Sequence, residues 1–88
     1  MILGKIVGTV TSTRKQEMLS GFKLLLIQPR KHAGHAGGDA ALGDVFVAVD
    51  LTGAGVGEEV IVATGRAARI AMGKDDLPVD AAVIGIVD

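Results

Sequence analysis

The apolar residues of this chain fall into short runs separated by glycine, proline and charged residues. The first run, residues 2–13, predicts a β-strand because apolar and polar side chains tend to alternate along it. Its apolar face includes two glycines, which would let the strand bend sharply or coil into a barrel. The residues assigned to this face are Ile2, Gly4, Ile6, Gly8 and Val10.

Four further strands and one short helix are predicted. A second strand begins at Phe22 and is expected to end at Pro29, which cannot donate a hydrogen bond to a neighbouring strand. The helix is predicted over residues 66–72, with Gly73 as the residue that ends it. The other strands are predicted at residues 45–49, 59–63 and 82–87.

Several of these strands are apolar on both faces. In the second strand Leu24 and Leu26 share one face, whereas Leu25 and Ile27 share the other. Strands of this kind are usually covered on both sides, and the chain has few residues left to form covering helices. We therefore expect another copy or a partner to cover the second apolar face.

The order of elements predicts an all-β fold with one short helix. Five short strands with several internal glycines are typical of a small five-stranded β-barrel of the OB kind. The 88 residues are expected to form a single domain, residues 1–88, without an internal repeat. A domain of this size buries only about 60–65% of the surface of its unfolded chain, so association is an expected source of stability.

The composition of the chain excludes several classes of function. The chain has no cysteine, which excludes disulfides and thiolate metal sites. Its net charge of −1 and its two aromatic residues, Phe22 and Phe46, argue against a nucleic-acid partner. No apolar run has the roughly 20 residues of a membrane span, and the N-terminus does not resemble a signal peptide. We expect a soluble, cytoplasmic protein with no membrane or nucleic-acid partner.

Residues 48–59 carry an apolar strand, glycine at positions 53, 55 and 57, and then an acidic pair. The three glycines could adopt backbone angles closed to other residues and allow close packing of backbone. A phosphate-binding loop is the alternative, but a strand rather than a helix follows, and the lysine of a P-loop is missing.

Other candidate sites have weak signatures. His32 and His35, with Asp39 nearby, could bind a metal, although further ligands are missing and solvated loop histidines are the more common case. No acid–base pair or nucleophile has a recognisable arrangement, so no enzymatic activity and no cofactor are predicted. Arg66 and Arg69 share a helix face and could either be solvated or pair with a carboxylate of a neighbouring subunit.

Taken together, six segments resemble the EutN/CcmL family of bacterial microcompartment vertex proteins, in the family's order and over essentially the whole chain. These segments are MILGKIVG at residue 1, LSGFKLLLIQP at 19, VAVD at 47, GAGVGE at 53, GRAAR at 65 and PVDAAVIGIVD at 78. The basic sequence Pro29-Arg30-Lys31 departs from the family pattern.

The resemblance implies an OB-like barrel assembled as a cyclic homopentamer, which caps the vertices of a polyhedral shell around enzymes and contacts hexameric or trimeric shell proteins. The shell lies in the cytoplasm. By this analogy Thr52, Gly53, Ala54 and Gly55 would lie at the five-fold axis and line a pore. The expected subunit-interface residues are Leu25, Ile27, Gly57, Glu58, Arg66 and Arg69, with Glu58 bonded to backbone amides or to an arginine of a neighbour.

An OB-fold module that binds an oligonucleotide or an oligosaccharide is the alternative function, since that barrel often has such a role. A zinc enzyme that uses His32 and His35 is a third possibility, which would require a retained metal.

Overall fold

The computed structural model describes residues 1–12, 17–31, 40–41, 43–74 and 76–88. In these ranges the chain forms six strands, one α-helix and a 3₁₀ turn at Glu17–Leu19. The helix, α1, spans Arg66–Met72. The strands are β1 (Ile2–Val10), β2 (Leu24–Lys31), β3 (Ala40–Ala41), β4 (Phe46–Asp50), β5 (Glu59–Thr64) and β6 (Ala81–Ile86).

The strands form one closed barrel. Neighbouring strands follow the order β1-β5-β6-β4-β2-β3, and an additional pairing between β1 and β2 closes the sheet. The barrel wall therefore has five strands, and β3 is a two-residue strand beside the end of β2. All described pairs are antiparallel except β4 with β6. This architecture confirms the predicted five-stranded barrel with one short helix.

A β-bulge divides β1 into two halves that face in different directions. Ile6 pairs with Ile27 and Gly8 pairs with Leu26, so Val7 is the extra residue on β1. Because directly opposite residues lie on the same face of a sheet, Gly4 and Ile6 share the inner face, whereas Gly8 lies on the outer face with Leu26. The prediction of one continuous apolar face from Ile2 to Val10 was wrong, since a one-residue shift reverses every later side chain.

Pro29 does not end the second strand, contrary to the sequence prediction. It pairs with Gly4 of β1 on one side. On the other side, pairing with β4 stops at Ile27 and pairing with β3 starts at Arg30. Proline is tolerated here because its missing N–H faces the side of β2 on which pairing with β4 has ended and pairing with β3 has not yet begun.

Two apolar clusters lie on opposite sides of the barrel wall. The inner cluster is the barrel core and is made of Ile6, Leu25, Ile27, Ala48, Ala54, Val60, Val62, Ala81 and Val83. The outer cluster packs beneath α1 and the segment before β6, and is made of Val49, Ala63, Ala68, Leu77, Val79 and Ala82. The chain therefore covers part of its second apolar face itself, whereas the sequence pattern predicted that another copy or a partner would cover it.

The helix ends where the sequence predicted. Gly73 has a φ of 82°, in the left-handed region, and its N–H reaches the carbonyl oxygens of Arg69 and Ile70. A residue without a side chain adopts this angle at little cost and satisfies carbonyls that the helix leaves unpaired. Ala68 is the buried contact of α1 with the barrel.

Candidate functional site

The loop of residues 51–58 begins at a carboxylate that fixes its own turn. The Oδ1 atom of Asp50, at the end of β4, accepts hydrogen bonds from the Thr52 amide at 2.9 Å, the Thr52 hydroxyl at 3.0 Å and the Gly53 amide at 3.2 Å. Asp side chains commonly bond the backbone two residues further on and so favour turns. Gly53 follows with a φ of 77°.

A second carboxylate closes the same loop. The Glu58 N–H donates to the Gly55 carbonyl oxygen at 3.1 Å, and Glu58 Oε1 accepts from the Gly55 N–H at 2.7 Å. This bond agrees with the expectation that Glu58 contacts a backbone amide. The expected contact with an arginine of a neighbour stays a prediction.

The loop is also joined to three parts of the barrel. Ile6 of β1 donates its N–H to Glu58 O at 3.0 Å and accepts from Gly57 N at 2.8 Å. The Leu51 amide donates to Val83 O of β6 at 3.2 Å, and Lys23 Nζ, just before β2, donates to Ala54 O at 3.3 Å. These bonds tie the loop to β1, to β6 and to the residue before β2 within the single chain.

The glycines of the loop have different roles. Gly53 and Gly57 have φ angles of 77° and 94°, which favour glycine. The φ angle of Gly55 is outside the left-handed region. A Cβ added to Gly55 would meet Glu58 Oε1 at 3.7 Å, which is an ordinary contact. Of the three glycines that could adopt such angles, Gly53 and Gly57 therefore do so and Gly55 does not.

The four residues predicted at the five-fold axis differ in exposure. Gly53 is exposed, while Thr52 and Gly55 are half-buried. Ala54 is 0% exposed and belongs to the barrel core, so its methyl group cannot line a pore. The exposed apolar side chains of the loop are Leu51 and Val56, and Val56 is 62% exposed. Leu51 and Val56 were not among the predicted site residues, although apolar side chains in a glycine-rich loop are unusual enough to have indicated them.

The six predicted interface residues divide into buried and accessible ones. Leu25 and Ile27 are 0% exposed in the barrel core of the single chain, so their assignment to the interface was wrong. Arg69 is half-buried, and its Nη1 donates to Val79 O at 3.1 Å, which ties α1 to the segment before β6. Gly57, Glu58 and Arg66 are exposed.

A set of apolar residues on the outside of the barrel was missed. Val45 and Val47 of the β4 region and Val7 at the bulge are exposed, and Val47 is 45% exposed. Leu26, which pairs with Val47, is half-buried. The two-faced apolar pattern predicted that another copy or a partner covers one face, but it could not identify which of the two faces that is.

Other candidate chemistry has little support. In the described ranges no three His, Asp or Glu side chains gather into a possible metal site. His32, His35 and Asp39 lie outside the described residues, so the metal hypothesis for that segment is not tested. No helix in the described part of the chain has the length and hydrophobicity needed to cross a membrane.

Comparison with known proteins identifies the family. The family model described as "Ethanolamine utilisation protein EutN/carboxysome" matches residues 1–88. The microcompartment shell vertex protein GrpN of Rhodospirillum rubrum is 49% identical over the whole chain, which spans 93% of that relative. The carboxysome shell vertex protein CcmL of Synechocystis is 47% identical, again over the whole chain and 83% of the relative.

A solved structure gives the same result. The pentameric microcompartment shell protein GrpN from Rhodospirillum rubrum superimposes with a TM-score of 0.85 at 45% identity, covering 100% of this chain and 94% of that one. These similarities support the structural function. They do not support an OB-fold module that binds an oligonucleotide or an oligosaccharide, or a zinc enzyme. The chain belongs to the EutN/CcmL family, whose members are microcompartment shell vertex proteins and not enzymes.

Proposed function

We propose that five copies of this chain form a closed ring that caps the vertices of a bacterial microcompartment shell. The observation that carries this proposal is the full-length similarity to a pentameric shell protein with the same barrel. A flat layer of hexagonal units closes into a polyhedron only where five-fold units are inserted. In such a ring each protomer uses two different surfaces, and a five-fold rotation closes the assembly.

The exposed apolar residues of the barrel wall support association. Val7, Val45 and Val47 would be removed from water by a neighbour, and burial of apolar surface contributes about 25 cal/mol per Å² before the cost of association. Gly57, Glu58 and Arg66 are the accessible members of the predicted interface. Arg69 is accessible in part, since it is half-buried against its own chain.

The loop of residues 51–58 is proposed to lie at the five-fold axis. Five copies of a side chain compete for space at such an axis, and Thr52, Gly53 and Gly55 offer small groups there. Ala54 would support this loop from the barrel core. The loop's internal bonds favour this role, because a loop that is already ordered loses little conformational freedom when five copies meet.

The remaining partners are proposed from the shell function. A vertex must contact the flat tiles around it, so hexameric or trimeric shell proteins are the expected neighbours of the pentamer's outer rim. The location is then the microcompartment shell in the cytoplasm. Co-expression with candidate tile proteins, followed by imaging of closed and open assemblies, tests this step.

Native mass measurement tests the pentamer directly. The expected mass is about 45 kDa, five times the 9.0 kDa chain. The measurement should cover a concentration series, because subunit association follows mass action. A monomer or a dimer at every concentration would contradict the proposed function.

A further inference from the structure

The barrel wall has a gap beside the first half of β4. Toward β2, β4 is paired at every position from Phe46 to Val49. Toward β6, the pairing covers only Val49 with Ala82 and Asp50 with Val83. Among the described residues, the part of β4 before Val49 therefore has no strand beside it on the β6 side.

The main chain of Val47 faces this gap. Leu51 N donates to Val83 O, toward β6, whereas Asp50 N donates to Lys23 O, toward β2. Successive residues of a strand point their N–H and C=O groups to alternate sides. Val47, which is in phase with Leu51, therefore presents both of its main-chain groups to the side where β4 lacks a partner strand.

The surroundings of the gap are mostly apolar. A groove there is lined by Ile2, Phe46, Val47, Thr64, Gly65, Asp80 and Ala81. Asp80 is the charged residue of this lining. A second groove shares Val47, Asp80 and Ala81 and extends toward Leu19, Leu24 and Pro78. An open main-chain edge beside apolar pockets is the arrangement that binds an added extended segment.

We propose that this β4 edge binds an extended segment of the neighbouring copy in the ring, through main-chain hydrogen bonds at Val47 and apolar contacts in the groove. This inference rests on the proposed pentamer. Soluble proteins keep open, apolar strand edges covered, because such edges otherwise pair with other chains.

The occupant is a second copy for two reasons. A heterologous ring gives every protomer an acceptor surface that its neighbour must cover, and GrpN, which shares this barrel, is pentameric. The groove is also continuous with the proposed interface, since Gly65 lines it and directly precedes Arg66. A groove whose lining includes a carboxylate and no cation does not favour a nucleic acid.

Thiol labelling tests whether a second copy covers this edge. The chain has no cysteine, so Val47→Cys and Lys74→Cys, made as two separate variants, each introduce one reporter thiol. In the single chain Val47 is 45% exposed, and Lys74, just beyond the end of α1 that is distant from Arg66, is also exposed. A thiol at either position would therefore react readily with a maleimide.

The two positions should differ in the purified pentamer, free of other shell proteins. We expect the thiol at position 47 to react roughly tenfold or more slowly than in denaturant, because a covered thiol reacts only after local opening. The thiol at position 74 should react at a similar rate in the pentamer and in denaturant.

The outcomes separate this inference from the proposed function. A wild-type chain that is never pentameric would contradict the proposed function. A pentamer in which the thiol at position 47 reacts as fast as the one at position 74 would overturn the β4-edge inference alone. Equal protection of both thiols would indicate nonspecific association and would also count against it.

Val47→Pro tests the main-chain bond separately. Proline removes the N–H that faces the gap, and no β2 ladder bond depends on that group. We expect a chain with wild-type circular dichroism and a lower pentamer fraction. Pentamers as stable as the wild type would overturn strand pairing at Val47. If this variant does not fold, the labelling of Val47→Cys still decides the proposal.

Discussion

Replacing Gly4 by alanine tests how closely β1 and β2 approach inside the barrel. A Cβ on Gly4 would fall against Ile27 Cγ2 and lie 3.3 Å from the Gln28 carbonyl oxygen. The Ile27 side chain is 0% exposed and packed in the core, so it cannot move aside freely. The backbone angle of Gly4 is not in the left-handed region, so the expected cost comes from packing.

The expected magnitude follows from overpacking. An extra methyl group in a well-packed core costs about 1–3 kcal/mol, and the lower entropy of the unfolded alanine chain returns up to about 1 kcal/mol. Subtracting the second range from the first gives a net loss of about 0–3 kcal/mol, with a midpoint of about 1.5 kcal/mol. For a domain of this size, a loss of about 1.5 kcal/mol lowers the Tm by about 6–12 °C.

Gly8→Ala is the matched control on the same strand. A Cβ at Gly8 would meet Leu26 Cβ and Cδ2 at 3.7 Å, which is an ordinary contact. This variant should be as stable as the wild type or up to about 1 kcal/mol more stable. Thermal unfolding followed by circular dichroism, at one fixed protein concentration, compares the three proteins. If Gly4→Ala unfolds at the same temperature as Gly8→Ala, the close approach of Gly4 to Ile27 is not a constraint on the fold.

Two further predictions concern the loop of residues 51–58. Asp50→Ala removes the acceptor of three hydrogen bonds and should lower the free energy of unfolding by about 1–3 kcal/mol in urea titrations, whereas Asp50→Asn, which keeps an acceptor oxygen, should lose less. An alanine variant as stable as the wild type would show that these bonds are replaced by water. Gly55→Val should leave the circular dichroism unchanged but reduce the pentamer fraction in native mass spectra, because five branched side chains would crowd the proposed axis. If this variant assembles as the wild type does, the loop does not lie at the five-fold axis.

The sequence predicted the strands and the helix better than it predicted which side of the barrel wall their side chains lie on. The strands and the Gly73 helix end follow from local preferences that act within a few residues. The bulge at Val7 depends on how β1 and β2 meet across the barrel, and no local pattern marks it. The same limit explains Pro29, whose tolerance depends on where two other strands stop.

The candidate site was predicted only in part for the same kind of reason. Leu24, Leu25, Leu26 and Ile27 are all apolar, so the sequence could not show that Leu25 and Ile27 face the core. Hydrophobicity identifies residues that need burial, but it does not identify what buries them. Glu58 was more predictable, because a carboxylate beside a glycine turn has backbone amides within reach.

The position of β6 in the barrel has a consequence for folding kinetics. β6 follows the other described strands in sequence, yet it lies between β5 and β4 in the sheet. Until β6 docks, β4 and β5 each keep an open edge and the wall cannot close. Closure also joins Ile2 of β1 to Val62 of β5, a contact distant in sequence. Barrels with such distant contacts fold on the millisecond-to-second scale. During synthesis, a nascent chain that still lacks β6 would expose the unpaired edges of β4 and β5, and such edges favour aggregation before the chain can join a ring.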